Sequence, residues 1–153
     1  MADLIASYPL VGFHFTANFA GIGAAGVDAR FMEIGGLTAE LEYETLVEAG
    51  NNRFTHKLPL RTKYPNLMFK RGLPSTGLSP LTIWANAAIY YMEIFPIPVQ
   101  VLLLNSDHLP VKGWNFTQAY PIKIEYSNFN AKENAIVVET LELAYQFVTP
   151  ITP

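Results

Sequence analysis

The chain has 153 residues, of which half are hydrophobic and 15% are charged. This length suits one domain, residues 1–153, and the composition excludes a disordered chain. The net charge of −3 gives no electrostatic reason to expect binding along a nucleic acid. Because the sequence contains no cysteine, disulfides, thiolate catalysis and cysteine-ligated metals are excluded.

Alternating residues predict the first three strands. From Val11 to Phe19 the odd positions are apolar and the even positions small or polar, which is typical of a half-buried strand. A second strand is predicted from Phe31 to Val47, with a break at Gly35-Gly36, before Gly50-Asn51-Asn52 turns the chain. A third, short strand is predicted from Asn66 to Arg71.

A helix is predicted next, because Ser79 is a good N-cap and Pro80 suits the first helical position. The helix should end near Ile94, since Pro96 and Pro98 cannot continue it. Its apolar residues cover more than one stripe, which predicts that a second side of the helix is covered, by a partner if not by the chain itself.

Three further strands are predicted after the helix. Val99 to Leu104 is nearly all apolar and reads as a strand buried on both faces. Trp114 to Tyr126 alternates, with Pro121 marking a bend or an edge, and Asn134 to Val148 closes the domain. At least six strands and one helix favour a mainly β fold, an antiparallel β-sandwich or barrel with one flanking α-helix.

Neither membrane insertion nor secretion is predicted. The stretch from Leu81 to Leu104 is hydrophobic, but Pro96 and Pro98 divide it into a helix, a turn and a strand. The first seven residues lack the basic region and the long apolar core of a signal peptide.

The chemistry-bearing residues predict no catalytic, cofactor or metal site. His14, His56 and His108 are scattered and lack the short spacing of metal ligands. Three glutamates on one strand face could serve glycoside hydrolysis, but a solvated face is several times more frequent for such a stripe. Repeated around a ring, the same stripe would instead give an acidic lumen or interface. The stripe consists of Glu40, Glu42 and Glu44.

A basic segment follows the second strand. Its cations are Arg53, Lys57, Arg61, Lys63, Lys70 and Arg71. Interleaved aromatic residues give it a loose likeness to a single-strand nucleic-acid surface. We favour self-association, in which one subunit's basic loop meets the carboxylates of the next subunit, because the chain as a whole is acidic.

Four blocks of this sequence resemble the tail tube proteins of phages with contractile tails. The first three run from Tyr8 to Phe15, from Glu33 to Glu44 and from Gly50 to Gly72, of which the third is the most specific. The fourth comprises Trp114 to Tyr126 together with Leu141 to Ala144. The resemblance implies a small β-sandwich or barrel protomer that closes into a hexameric ring through inter-subunit sheets. Rings would stack into a tube that conducts DNA or protein cargo, in a phage tail or an extracellular contractile injection system.

The resemblance also implies partners and site residues. The partners would be further copies of the chain, the contractile sheath, the baseplate or spike, and the tail terminator, with assembly in the bacterial cytoplasm. The implied assembly residues are Asn51, Asn52, Arg53, Lys57, Arg61, Lys63, Lys70 and Arg71. The helix departs from the family pattern because it is nearly uncharged, so we expect it to face an outer partner through Trp84, Tyr90, Tyr91 and Glu93.

Two alternatives stay open. The uncharged helix would also suit a specialised ring that initiates the tube at the baseplate or spike end. A monomeric ligand-binding β-barrel is the alternative from another class, since aromatic strand faces could line an apolar pocket.

Overall fold

The computed structural model describes residues 15–22, 31–50, 52–73, 79–132 and 136–152. Within these ranges the fold is mainly antiparallel β with a single helix, as the sequence predicts. In chain order the elements are β1 (Phe15–Phe19), β2 (Glu33–Gly35), β3 (Glu40–Leu46), β4 (His56–Lys63), β5 (Leu67–Gly72), α1 (Pro80–Tyr91), β6 (Ile97–Leu104), β7 (Pro110–Tyr126), β8 (Val138–Ala144) and β9 (Phe147–Ile151).

Seven strands form one bent sheet around the long strand β7. The strand order is β1-β6-β7-β8-β5-β2, and β9 also pairs with β7. The first half of β7 pairs with β6 and β9, and its second half pairs with β8. The change of partner falls where Gln118 has a φ of 55° and where the register shifts after Pro121. The register shift follows Pro121, where the sequence predicts a bend or an edge. The described strands do not close into a barrel.

The two halves of the bent sheet face each other across an aromatic core. Phe19 on β1 and Phe69 on β5 belong to opposite halves, and their ring centroids lie 5.2 Å apart. Trp84 of α1 packs against Phe19 at 6.4 Å between ring centroids, and Phe116 of β7 is fully buried. Side chains of this size each contribute roughly 2–3 kcal/mol when they are fully buried, so this cluster fixes the two-layer arrangement.

The helix begins as predicted and ends earlier than predicted. Ser79 is the N-cap, and its hydroxyl accepts a hydrogen bond from the Thr82 N–H at 3.1 Å. The last helical residue is Tyr91 rather than Ile94, because Met92 adopts a left-handed φ of 57°. The Glu93 N–H then donates to the Ala87 carbonyl at 3.0 Å, so the chain has left the helix before the prolines.

Other strand predictions need correction. The closing segment forms two strands, β8 and β9, because Tyr145 and Gln146 leave the ladder and the Gln146 N–H donates to the Thr117 carbonyl. Strand β6 buries Val99 and Val101 fully on one face, while its other face stays partly exposed. The first part of the predicted opening strand, residues 11–14, lies outside the described residues. No helix in the described ranges is long and apolar enough to cross a bilayer.

Candidate assembly surfaces

Strands β3 and β4 form a two-stranded hairpin that belongs to no larger sheet. Every residue of both strands is exposed except His56, which is half-buried. The prediction that this basic segment is a loop is therefore wrong for His56–Lys63, which is strand β4. Pro59 and the cations make this strand difficult to recognise in the sequence. The structure accommodates Pro59 because proline is tolerated in an exposed edge strand.

The hairpin has two chemically different faces. Between the Leu41–Thr62 and Tyr43–Pro59 pairs, β3 contributes one residue and β4 contributes two, so the extra residue lies in β4. The alternation of β3 is thus intact, and the three glutamates share one face, which we call the acidic face. The opposite, neutral face carries Leu41, Tyr43 and Thr45 from β3 with Lys57, Pro59 and Thr62 from β4.

Seven of the eight predicted assembly residues fall into three groups. Asn52, Arg53, Lys57, Arg61 and Lys63 are exposed on the hairpin or its turn. Lys70 points outward from β5 and lies 3.6 Å from the Glu33 carboxylate. Asn51 lies outside the described residues.

Arg71 differs from these cations because its side chain is buried, with only 3% of its surface exposed. Its Nε donates to Glu139 Oε2 at 3.2 Å, and its Nη2 donates to the hydroxyls of Ser79 and Thr82 at 2.7 and 3.0 Å. The Thr82 hydroxyl also donates to Glu139 Oε1 at 3.2 Å. This buried network joins the start of the helix to strands β5 and β8. The Arg71 charge therefore forms hydrogen bonds inside the protomer.

The hairpin is attached to the body through a tight junction at Gly36. This glycine has a φ of 85°, and a Cβ atom placed on it would lie 2.1 Å from the Asn66 carbonyl oxygen. Only glycine permits both this backbone conformation and this approach. The direction in which the hairpin leaves the body is therefore set by local backbone packing.

The end of the helix exposes a group of apolar side chains. Tyr90, Tyr91, Met92 and Phe95 are all more than 60% exposed, with Glu93 among them. Trp84 does not belong to this surface, contrary to the prediction, because its ring packs in the core and its Nε1 donates to the Phe95 carbonyl at 2.9 Å. That hydrogen bond holds Phe95, and with it the chain after the helix, in place.

A groove of about 300 Å³ opens at one end of the two-layer body. We call it the open-end groove. It is lined by Phe15, Met32, Glu33, Ile34, Leu37, Val101, Leu102, Leu103 and Trp114. Sequence reasoning missed it, because it is formed by strands that are far apart in the chain.

The two described histidines, His56 and His108, lie in different parts of the fold. His56 lies 3.5 Å from Glu48, His108 adopts a φ of 59° in the turn before β7, and His14 is outside the described residues. Within the described ranges no three His, Asp or Glu side chains cluster as metal ligands would.

Residues 11–149 match the family described as T4-like virus tail tube protein gp19. A search of curated proteins finds no match.

Three solved structures illustrate the structural similarity. A chain of the 6-fold symmetrised cryo-EM structure of the anti-feeding prophage (AFP) baseplate has a TM-score of 0.87 and 28% identity, over 95% of this chain and 97% of that one. A chain of the AFP tube-terminating cap gives 0.80 and 22%, over the whole of both chains. A chain of the PVC extracellular contractile injection system, in its extended sheath-tube complex, gives 0.78 and 20%, over 96% and 94%.

The fold and its exposed hairpin define a structural subunit, a tube protein of a phage tail or of a contractile injection system. The chain belongs to the T4-like virus tail tube protein family, as the resemblance of its motifs indicates.

Proposed function

We propose that six copies of this chain close into a ring and that rings stack into the hollow inner tube of a contractile particle. The number of copies follows the 6-fold symmetry of the similar baseplate structure. The tube conducts DNA or protein cargo, and the chain performs this work as a structural protein rather than as an enzyme. Its other partners are the contractile sheath, the baseplate or spike and the tail terminator, and assembly takes place in the bacterial cytoplasm.

The observation that carries this proposal is the isolated hairpin. A two-stranded sheet on its own is marginally stable in water. Its strands expose Leu41, Tyr43, Leu46, Leu58 and Leu60, each at 45% or more, which is unusual for side chains of this size in a monomer. A neighbouring copy would cover them, and it would also pair or shield the free edges of β3 and β4.

Negative-stain electron microscopy of the purified protein over a range of concentrations tests the proposal. We expect rings or tubes whose averages show sixfold symmetry and a central channel. Monomers at every concentration, with and without the baseplate proteins of the same particle, would contradict the proposal and favour a monomeric ligand-binding protein.

A charge reversal locates the contact on the hairpin. We expect Lys57→Glu with Arg61→Glu to abolish rings while the monomer keeps its free energy of unfolding within ~0.5 kcal/mol, because both side chains are exposed. Lys123→Glu with Lys132→Glu is the matched control, since it makes the same change of charge on the body. Rings that persist in the hairpin variant would exclude a role for these two cations.

A specialised ring that initiates the tube at the baseplate is the second candidate. Of the three structures compared, the baseplate chain has both the higher identity and the higher TM-score. The exposed and mostly apolar end of the helix also suits a partner other than a repeating ring. Tube length separates the two: a repeating subunit forms tubes that lengthen with concentration, whereas an initiator forms single rings or short stacks.

A further inference from the structure

The open-end groove and the exposed end of the helix lie at opposite ends of the body. The chain leaves the helix through Met92 and enters β6 at Ile97, so the exposed helix end lies at the start of that strand. The groove is lined by Leu102 and Leu103, near the last residue of β6. Leu103 follows Ile97 by six positions, which span roughly 20 Å of strand. A single chain therefore cannot bring these two surfaces together.

The groove is an uncovered part of the core face of β1, β6 and β7. Phe15 and Leu103 are direct partners across β1 and β6, and they have the same strand phase as the buried Phe19 and Val101. These side chains therefore continue the hydrophobic core, but at this end the opposite layer leaves an opening of about 300 Å³.

A cation lies at this groove on the core face. Lys112 has the strand phase of Trp114, and its ammonium lies 5.6 Å from the centre of the Trp114 ring. Glu33 also borders the groove, but its phase is opposite to that of the core residue Ile34. Its carboxylate therefore lies on the outer face of the sheet, 3.6 Å from the Lys70 ammonium. The groove suits an occupant that is apolar and carries one acidic group.

The exposed end of the helix has this character. Its exposed side chains are Tyr90, Tyr91, Met92 and Phe95. Glu93 is the one charged residue between positions 90 and 95. The hydrogen bond from Trp84 Nε1 to the Phe95 carbonyl fixes the chain after the helix, so this surface is formed before any partner binds.

Charge favours the groove over a second helix end as the partner of this surface. A two-fold contact between helix ends would place Glu93 near the same residue of the other copy. A helix end in the groove places Glu93 near Lys112 instead, and it removes apolar surface of both copies from water. Because this contact joins opposite ends of the body, it is heterologous and repeats from copy to copy.

We propose that the exposed end of the helix of one copy seats in the open-end groove of the next copy, with Glu93 beside the neighbour's Lys112. The contact rests on the repeating assembly proposed above, and it involves neither strand of the hairpin. It makes a second copy of the chain, rather than an outer protein, the partner of the helix end.

Cysteine cross-linking tests the contact directly, since the chain has no native cysteine. Tyr91→Cys combined with Met32→Cys should give a ladder of covalent oligomers when assembled protein is oxidised in air, because both positions are exposed and Met32 lines the groove. Tyr91→Cys with Glu33→Cys is the matched control. Glu33 is adjacent in sequence but faces the other side of the sheet, so this pair should give roughly tenfold less cross-linked product.

The outcomes separate this contact from the ring proposal. Rings or tubes that form without a disulfide between positions 91 and 32, or with a stronger link to position 33, overturn the contact and leave the ring standing. A link within one chain also overturns it, as does a Met32→Cys thiol that a maleimide cannot label in the free chain. Cross-linked chains without rings or tubes support the contact and contradict the ring.

A charge swap tests the Glu93–Lys112 pair without new cysteines. Glu93→Lys and Lys112→Glu should each raise the concentration needed for half-assembly by about tenfold, and the double swap should return it to within about threefold of the parent value. Glu125→Lys is the control, since it makes the same change of charge at an exposed position of the body. Additive losses in the double swap, or an equal loss in the control, would overturn the pairing.

Discussion

The two ends of the basic segment lie in opposite surroundings. At one end Lys57, Arg61 and Lys63 are exposed on a hairpin that no other strand supports. At the other end Arg71 is buried and bound to Glu139, Ser79 and Thr82. The density of cations along the sequence therefore does not identify an assembly surface. Membership of the hairpin or of the body instead separates the exposed cations from the buried one.

Removing the buried cation should have the largest effect on folding. We expect Arg71→Ala to lower the free energy of unfolding by about 3–5 kcal/mol, because it leaves the Glu139 carboxylate buried without its ion-pair partner. Urea denaturation of the monomer measures this. The adjacent Lys70→Ala is the control, since its pair with Glu33 is exposed and should be worth about 0–1 kcal/mol.

A double substitution sharpens this first prediction. Arg71→Met with Glu139→Leu should cost less than either single substitution, because it removes both buried charges together. Equal losses from Arg71→Ala and Lys70→Ala would show that Arg71 is not held as the structure describes.

The junction between the two regions should be the next most sensitive point. Gly36→Ala places a Cβ against the Asn66 carbonyl oxygen in a left-handed backbone conformation, so we expect a loss of roughly 2–4 kcal/mol. Gly50→Ala has nearly the same φ, 88°, but no atom lies within 4 Å of its Cβ, so backbone strain alone should cost about 1 kcal/mol. Thermal unfolding of both variants compares them, and equal losses would remove the close approach as a cause.

The sequence predicts features that depend on neighbouring residues and does not predict features that depend on residues far apart in the chain. Strand β5 and the Ser79 cap follow from local signals, alternation and capping chemistry, and both are confirmed. The burial of Arg71 depends on Glu139, which follows 68 residues later, and no local sequence pattern indicates such a partner. The open-end groove is hidden for the same reason, because β1, β2, β6 and β7 meet only in the folded chain.

The cap of the helix should have an intermediate effect. Ser79→Ala removes the acceptor for the Thr82 N–H and a partner of Arg71, so we expect a loss of about 1–2 kcal/mol. Ser127→Ala is the control, because its hydroxyl accepts from the exposed Val138 N–H and should matter less. Chemical denaturation compares the two serines. A larger loss at Ser127 would contradict the assignment of the cap network as the stabilising one.

The smallest expected effect concerns Tyr145, which packs beside Tyr64 close to where the hairpin joins the body. Its hydroxyl is buried and has no hydrogen-bond partner among the described residues. Tyr145→Phe should therefore leave the free energy of unfolding at neutral pH unchanged or raise it by up to about 1 kcal/mol. A loss larger than that would mean that the hydroxyl has a partner in the folded protein.

The pH dependence of the same variant gives a second, independent readout. Burial, followed by the nearby Tyr64, raises the pKa of Tyr145 above its ordinary value of 10.0. The folded state therefore keeps its proton when the unfolded state has released it, so stability falls as pH rises above 10. Tyr145→Phe should lose less stability than the parent between pH 10 and 11, whereas Tyr91→Phe, at an exposed position, should follow the parent. Identical alkaline curves for all three proteins would show that the Tyr145 hydroxyl reaches solvent, and the packing beside Tyr64 would then be looser than the rest of the body.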